Sequence, residues 1–156
     1  MKLDHIGICC LDNILAKLEA NAAGAADAII LDTNGYMAEA TGQNLFVVKD
    51  GVLVTPPTVA ALAGITRATI IDLAKQKGIL TVERNISPGE LYSADEVFLT
   101  GTASEVVPIS QVSGRPIANG TVGPITQLLQ NAYQELVHSH LFATDAYSPL
   151  DASNLR

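Results

Sequence analysis

Gly35-Tyr36-Met37-Ala38-Glu39-Ala40-Thr41-Gly42-Gln43-Asn44-Leu45-Phe46-Val47-Val48-Lys49-Asp50-Gly51-Val52-Leu53-Val54-Thr55 decides the fold. Asp50-Gly51 is a pair that tolerates positive φ at both central positions of a tight turn, and apolar, strand-forming runs flank it from Asn44 to Lys49 and from Val52 to Thr55. That combination predicts an antiparallel hairpin. Immediately upstream, Asp27-Ala28-Ile29-Ile30-Leu31-Asp32 is a short apolar run that ends at Asn34-Gly35. It predicts a strand that turns back into Tyr36-Met37-Ala38.

Helical spacing frames these strands. Leu11, Ile14, Leu15 and Leu18 recur on one face of a helix expected to stop near Gly24. Thr66 to Lys77 repeats Ile70, Ile71, Leu73 and Ala74 on one face and ends at Gly78, the residue best suited to a left-handed helix stop. Ile79 to Arg84 reads as a strand, and Ser87-Pro88-Gly89-Glu90 is a capping box with proline at the first helical position. Glu96 to Thr100 is a further strand. Val106 to Val112 extends past Pro108 only as an edge or bent strand, because proline brings no amide to a ladder. Ser113-Gly114 turns it, and Gly123-Pro124 opens a last helix with Ile125, Leu128, Leu129, Ala132 and Leu136 on one side. Strands and helices thus interleave in one α+β unit over residues 1–142, followed by an aperiodic tail over 143–156.

With 156 residues, 48% of them apolar, the chain can bury one substantial core. Sixteen acidic against nine basic residues give a formal charge of −7, without a cationic cluster. No nucleic-acid or anionic-membrane surface is expected, and small metabolites or proteins are the expected partners. Cys9 and Cys10 are adjacent, a spacing that fits disulfide geometry poorly, and no His/Cys spacing resembles a metal site. A reducing, cytoplasmic setting is the expectation, with no signal peptide and no apolar run of the ~20 residues a membrane span needs.

Three segments carry candidate chemistry. Glu39 follows a turn and a short strand and precedes Gly42, a place where a carboxylate can face a ligand. Taken alone it reads more simply as a solvated edge-strand glutamate. Gly64-Ile65-Thr66 opens a helix, where bare amides and the macrodipole suit a phosphate dianion, with the Thr66 hydroxyl as an added donor. Thr66 serves equally as the cap of its own helix. Gly101-Thr102-Ala103 is a small-residue turn after a strand. The three together suit a phosphorylated, cationic heterocycle, whose ring nitrogen a neighbouring carboxylate keeps protonated.

The patterns Gly35-Tyr36-x-x-Glu39-x-x-Gly42-x-Asn44-Leu45-Phe46, Gly64-Ile65-Thr66-Arg67 and Ala94-Asp95-Glu96-Val97-Phe98-Leu99-Thr100-Gly101-Thr102-Ala103, in this order, resemble the class IV pyridoxal-phosphate aminotransferases, most closely the large domain of the branched-chain amino acid aminotransferases. The resemblance runs from about Leu11 to Leu136. It implies a D-amino-acid aminotransferase-like fold: a mixed, partly closed sheet with flanking helices. It also implies pyridoxal phosphate held by Glu39, Gly64, Ile65, Thr66, Gly101 and Thr102, with the Thr102 and Ala103 amides toward the carboxylate of an amino acid or 2-oxo acid. A homo-oligomer, the family's dimer or a larger assembly, is expected.

Four departures from the pattern matter. The family's catalytic lysine aligns with His5 or Ile6, and an imidazole is not a primary amine. Lys2 is the nearby lysine, ~10 Å further along an extended chain, and serves only if the register shifts. Cys10 replaces a tyrosine, Ala63 a proline, and the match begins so near Met1 that the family's N-terminal small domain is expected to be absent. The resemblance therefore implies amino-group transfer between an amino acid and a 2-oxo acid, in a truncated form. Aminodeoxychorismate lyase-like or D-amino-acid aminotransferase-like activity, or a non-catalytic cofactor- or partner-binding module, are the alternatives.

Overall fold

The computed structural model describes residues 10–143, and their side chains from Leu11 to Ser139. Lys2, His5, Ile6, the Cys10 side chain and the stretch beyond Ala143 lie outside the described residues. In chain order the elements are α1 (Cys10–Ala22), β1 (Ile29–Leu31), β2 (Met37–Ala40), β3 (Asn44–Lys49), β4 (Val52–Thr55), α2 (Ile65–Gln76), β5 (Thr81–Glu83), α3 (Pro88–Tyr92), β6 (Glu96–Gly101), β7 (Glu105–Ile109), β8 (Gln111–Val112), β9 (Arg115–Pro116) and α4 (Pro124–Ala143).

The Asp50-Gly51 turn forms as its residues dictate, with φ of 50° and 76°, and pairs β3 with β4 antiparallel, Val47 opposite Val54 and Lys49 opposite Val52. Gly35 turns at φ 82° between the antiparallel β1 and β2. Gly78 stops α2 at φ 73°, and Ser87 and Glu90 close the full capping box at the start of α3. Past Pro108 the chain does break. Among the described residues β7 is an edge strand paired only with β6, and β8 and β9 form a separate two-stranded hairpin around Ser113-Gly114.

The seven-stranded sheet is mixed, since β4 and β5 run parallel. It branches at β3. One edge of β3 pairs along Asn44–Val48 with β6, while the other pairs with β4 from Val47 to Lys49 and with β2 at Asn44. At the fork, the buried Thr55 hydroxyl donates to the Leu45 carbonyl at 2.8 Å. A side chain thereby satisfies a ladder acceptor where the strands diverge.

Side chains alternate across this sheet into two cores. On one face Phe46, Val48, Leu53, Phe98 and Val106 pack against Ile70, Leu73 and Ala74 of α2 and Leu129 and Ala132 of α4. Phe46 and Phe98, directly opposite in register, stack with centroids 5.0 Å apart and planes 8° from parallel. On the other face Leu45, Val47, Val54, Val97 and Leu99 meet Ile86, Leu91 and Ile117. The helix read from Leu11, Ile14, Leu15 and Leu18 is present as α1, but each of those four side chains is at least 50% exposed. Periodicity identifies an amphipathic helix without saying what covers it.

Replacing Thr55 by Val keeps the shape and strands the Leu45 carbonyl. A loss of about 1–3 kcal/mol in urea unfolding is expected, and an unchanged midpoint would show that the fork does not depend on this bond. The acid limb of stability is set by surface carboxylates. Amide donation from Asp50, then Lys49, holds Asp95 below its ordinary range, amide donation from Ser87, then the Arg84 guanidinium, does the same for Glu90, and the Tyr36 amide does so for Asp32. A carboxylate depressed in the fold adds stability above its unfolded pKa and loses it as pH falls through the folded value. Thermal midpoints should therefore decline below about pH 5, less steeply for Asp95→Asn. A flat profile down to about pH 3 would contradict the assignment.

Candidate functional site

Glu39 sits on β2 directly opposite Asn44 of β3, at the one register pair that joins those strands. It is half-buried rather than solvated. One carboxylate oxygen, Oε2, accepts the Leu62 amide at 2.8 Å, and among the described residues the other takes no protein donor. Leu62 lies two residues before Gly64, the N-cap of α2, so the carboxylate points toward that helix entry.

The segment from Pro56 to Gly64 that leads into α2 is held by polar contacts. Asn44 Nδ2 donates to the Leu62 carbonyl at 2.7 Å, and the Gly64 amide donates to the same oxygen at 2.8 Å. Arg67, with only 5% of its surface exposed, donates from Nη2 to the Pro56 carbonyl at 3.0 Å and to Glu83 of β5 at 2.6 Å. Gly64 is required by packing, because a Cβ there would collide with Asn44 Oδ1. Its φ of −69° is ordinary, so close approach and not backbone freedom selects glycine.

Of the two sequence readings of Thr66, the capping one fails. Gly64 is the N-cap, no side chain caps this helix, and Thr66 is the buried second helical residue. The starts of α3 and α4 are closed by contrast. Ser87 accepts the Glu90 amide at α3, and the buried Glu96 accepts the Ile125 and Thr126 amides at α4, at 3.0 and 2.6 Å. Of these three helix starts, the first amides of α2 are the ones left without a side-chain acceptor among the described residues.

Thr102 and Ala103 occupy the exposed β6–β7 turn, closed by the pair Gly101 and Glu105, with Glu105 at a left-handed φ of 58°. Gln43 Nε2 donates to Ser104 Oγ, clasping this turn to the β2–β3 turn. Gly101 again leaves no room: a Cβ would meet Ser104 Oγ at 2.9 Å and Gln43 Cγ at 3.2 Å. Next to it, Thr100 is opposite Asn44 in register, and among the described residues its buried hydroxyl has no partner. Such an orphaned group next to the α2 entry calls for a water or a ligand.

One cross-strand row, Glu39, Asn44 and Thr100, therefore lies beside the α2 entry, with the Gly101–Ser104 turn at its end. Sequence reading supplied Glu39, Gly64, Ile65, Thr66, Gly101, Thr102 and Ala103, and missed Asn44 and Arg67. Asn44 stands inside a quoted pattern, but its bond to Leu62 spans 18 residues and leaves no periodic signal. A cavity of about 320 Å³ lies elsewhere, at the Glu96 end of β6 among Pro108, Ser110, Thr121 and Thr126. There the buried carboxylate already occupies the helix amides. Among the described residues no three His, Cys, Asp or Glu side chains cluster as metal ligands, and no helix is long and apolar enough to cross a membrane.

Residues 3–112 match the family model of amino-transferase class IV. Over 127 residues the chain is 50% identical to the branched-chain-amino-acid aminotransferase of Pseudomonas aeruginosa, covering 81% of this chain and 41% of that protein. The Escherichia coli branched-chain-amino-acid aminotransferase is 49% identical over 124 residues, covering 79% and 40%. Among solved structures, the branched-chain amino acid aminotransferase from Thermobaculum terrenum in its PLP form matches with a TM-score of 0.80 at 38% identity, over 86% of this chain and 44% of that one. The chain spans about two-fifths of the length of these curated relatives. Sequence pattern, sheet topology and the likeness to these relatives and to this solved structure agree that the chain belongs to the class IV amino-transferase family.

Proposed function

We propose that this chain is the cofactor-binding large domain, residues 1–142, of a pyridoxal-phosphate-dependent branched-chain amino acid aminotransferase. The observation that carries the reading is the Glu39 carboxylate bonded to Leu62, two residues from the N-cap of a helix that no side chain caps. The residues present fit the cofactor. Open amides at Ile65 and Thr66 suit its phosphate, the uncommitted Glu39 oxygen suits its ring nitrogen, and the Thr100 hydroxyl, without a partner among the described residues, lies in the same cross-strand row as Glu39 and Asn44. Pyridoxal phosphate, when bound, supplies the electron sink for amino-group transfer.

Each residue then has a role. Gly64 lets the backbone turn in close to Asn44, the Ile65 and Thr66 amides with the Thr66 hydroxyl bind phosphate, and Gly101 and Thr102 add a second contact. Glu39 favours the protonated ring nitrogen by its charge. The Thr102 and Ala103 amides bind the substrate carboxylate. The branched-chain assignment is supported by the names of the relatives, at 49–50% identity for the two described above. A cytoplasmic homo-oligomer belongs to the same proposal, and the uncovered α1 face of Leu11, Ile14, Leu15 and Leu18 supports association.

His5 and Ile6 at the position of the family's lysine set the activity. Neither side chain is a primary amine, so this chain holds the cofactor reversibly and does not transaminate at a useful rate. Titration with pyridoxal phosphate should show saturable binding that weakens about tenfold in Thr66→Val and in Glu39→Gln, the size of one or two hydrogen bonds. Borohydride should trap no adduct, and incubation with a branched-chain amino acid and 2-oxoglutarate should yield no glutamate. Equal affinity in both variants would overturn the site. Turnover dependent on Lys2 would overturn the inactivity.

A further inference from the structure

We infer that Asn44 is a positioning residue that fixes the spacing between the Glu39 carboxylate and the open amides of α2, so that the site recognises the ring nitrogen and the phosphate of one ligand together. The inference rests on the reading of that site given above. It concerns how two distant recognition elements, 23 residues apart between Glu39 and Leu62, are made into one.

A single peptide links them. The Leu62 amide is held by Glu39 and the Leu62 carbonyl by Asn44, and those two side chains come from the one cross-strand pair that joins β2 to β3. Gly64, the N-cap of α2, donates to the same carbonyl, and a Cβ on it would collide with Asn44 Oδ1. Burial holds this segment chiefly at its Pro56 end. Val59 is 98% exposed, Leu62 72% and Ile65, the first residue of α2, 81%, so large apolar side chains do not anchor the end that leads into the helix. Asn44 itself is buried, on a strand paired on both edges. A rigid buried donor thus fixes the exposed segment that sets where the α2 amides lie.

Glu39 alone cannot do this, because its other task is to meet the ligand, and Arg67 holds the opposite end of the segment, at Pro56. Removing Asn44 leaves both recognition elements intact and frees their separation. Such a loss is felt by a ligand that spans both and hardly by a ligand that touches one.

The test compares three probes on the chain: pyridoxamine 5'-phosphate, which carries both groups, pyridoxamine, which lacks the phosphate, and inorganic phosphate. In Asn44→Ala, affinity for pyridoxamine 5'-phosphate should fall about tenfold or more, while the two partial ligands change by less than about threefold. Gly64→Ala, whose Cβ displaces the Asn44 amide, should reproduce that selective loss by an independent route. Should Asn44→Ala fail to fold, Asn44→Leu roughly keeps the volume, drops the donor without adding charge and carries the same comparison. Parallel weakening of all three probes would show a general structural role and overturn the inference, as would affinities equal to the parent chain. A parent chain that binds pyridoxamine 5'-phosphate no better than pyridoxamine would instead refute the phosphate site itself, and the inference with it.

Discussion

Everything at the candidate site depends on β3 serving three partners at once. A strand has two edges, and here β6 takes one from Asn44 to Val48 while β4 and β2 divide the other. The divided edge must open between them, and the opening exposes backbone acceptors that have to be paired. Thr55 closes one side of the gap by reaching Leu45, and the single Glu39–Asn44 pair closes the other. The chain leaving β4 at Thr55 then passes across the opening before it becomes α2. A helix start is thus delivered to the place where a carboxylate and an amide side chain emerge from neighbouring strands.

The helix starts show how the same physics is used in opposite ways. Unpaired first-turn amides favour an anion, and at α3 and α4 the protein supplies its own, Glu90 within the capping box and the buried Glu96. At α2 it supplies none, and places a glycine where a capping side chain would otherwise stand. The glycine is enforced by Asn44, so the open start and the anchored Leu62 peptide are one arrangement. Membership of the class IV amino-transferase family gives that arrangement a use.

Local signals in the sequence were legible wherever a few adjacent residues fix geometry. Asp50-Gly51 fixed a turn, Ser87-Pro88-Gly89-Glu90 a helix start, Gly78 a helix stop, and Pro108 the place where a strand could not continue in a sheet interior. The residue types of the site were legible too, since glycines, a threonine and a glutamate at fixed spacing carry a recognisable pattern. What could not be read were consequences of distant pairing. Val47 meets Val97 across 50 residues, and the parallel β4–β5 pair and the branch at β3 follow from such contacts alone. Asn44 reads only as the start of a strand, and Arg67 only as a member of the Gly64-Ile65-Thr66-Arg67 pattern. Their bonds to Leu62 and Pro56 run into a segment without periodicity. Thr66 is ambiguous for a similar reason: only the position of Gly64 at the N-cap excludes Thr66 as the cap.

The most direct measurement is a crystal structure of this chain soaked with pyridoxamine 5'-phosphate. The expected density has the phosphate on the Ile65 and Thr66 amides and the ring nitrogen at the Glu39 carboxylate, with the Leu62 peptide still bonded to Asn44. Ligand density in the cavity beside Glu96 and Thr126, or a phosphate remote from the start of α2, would contradict the account.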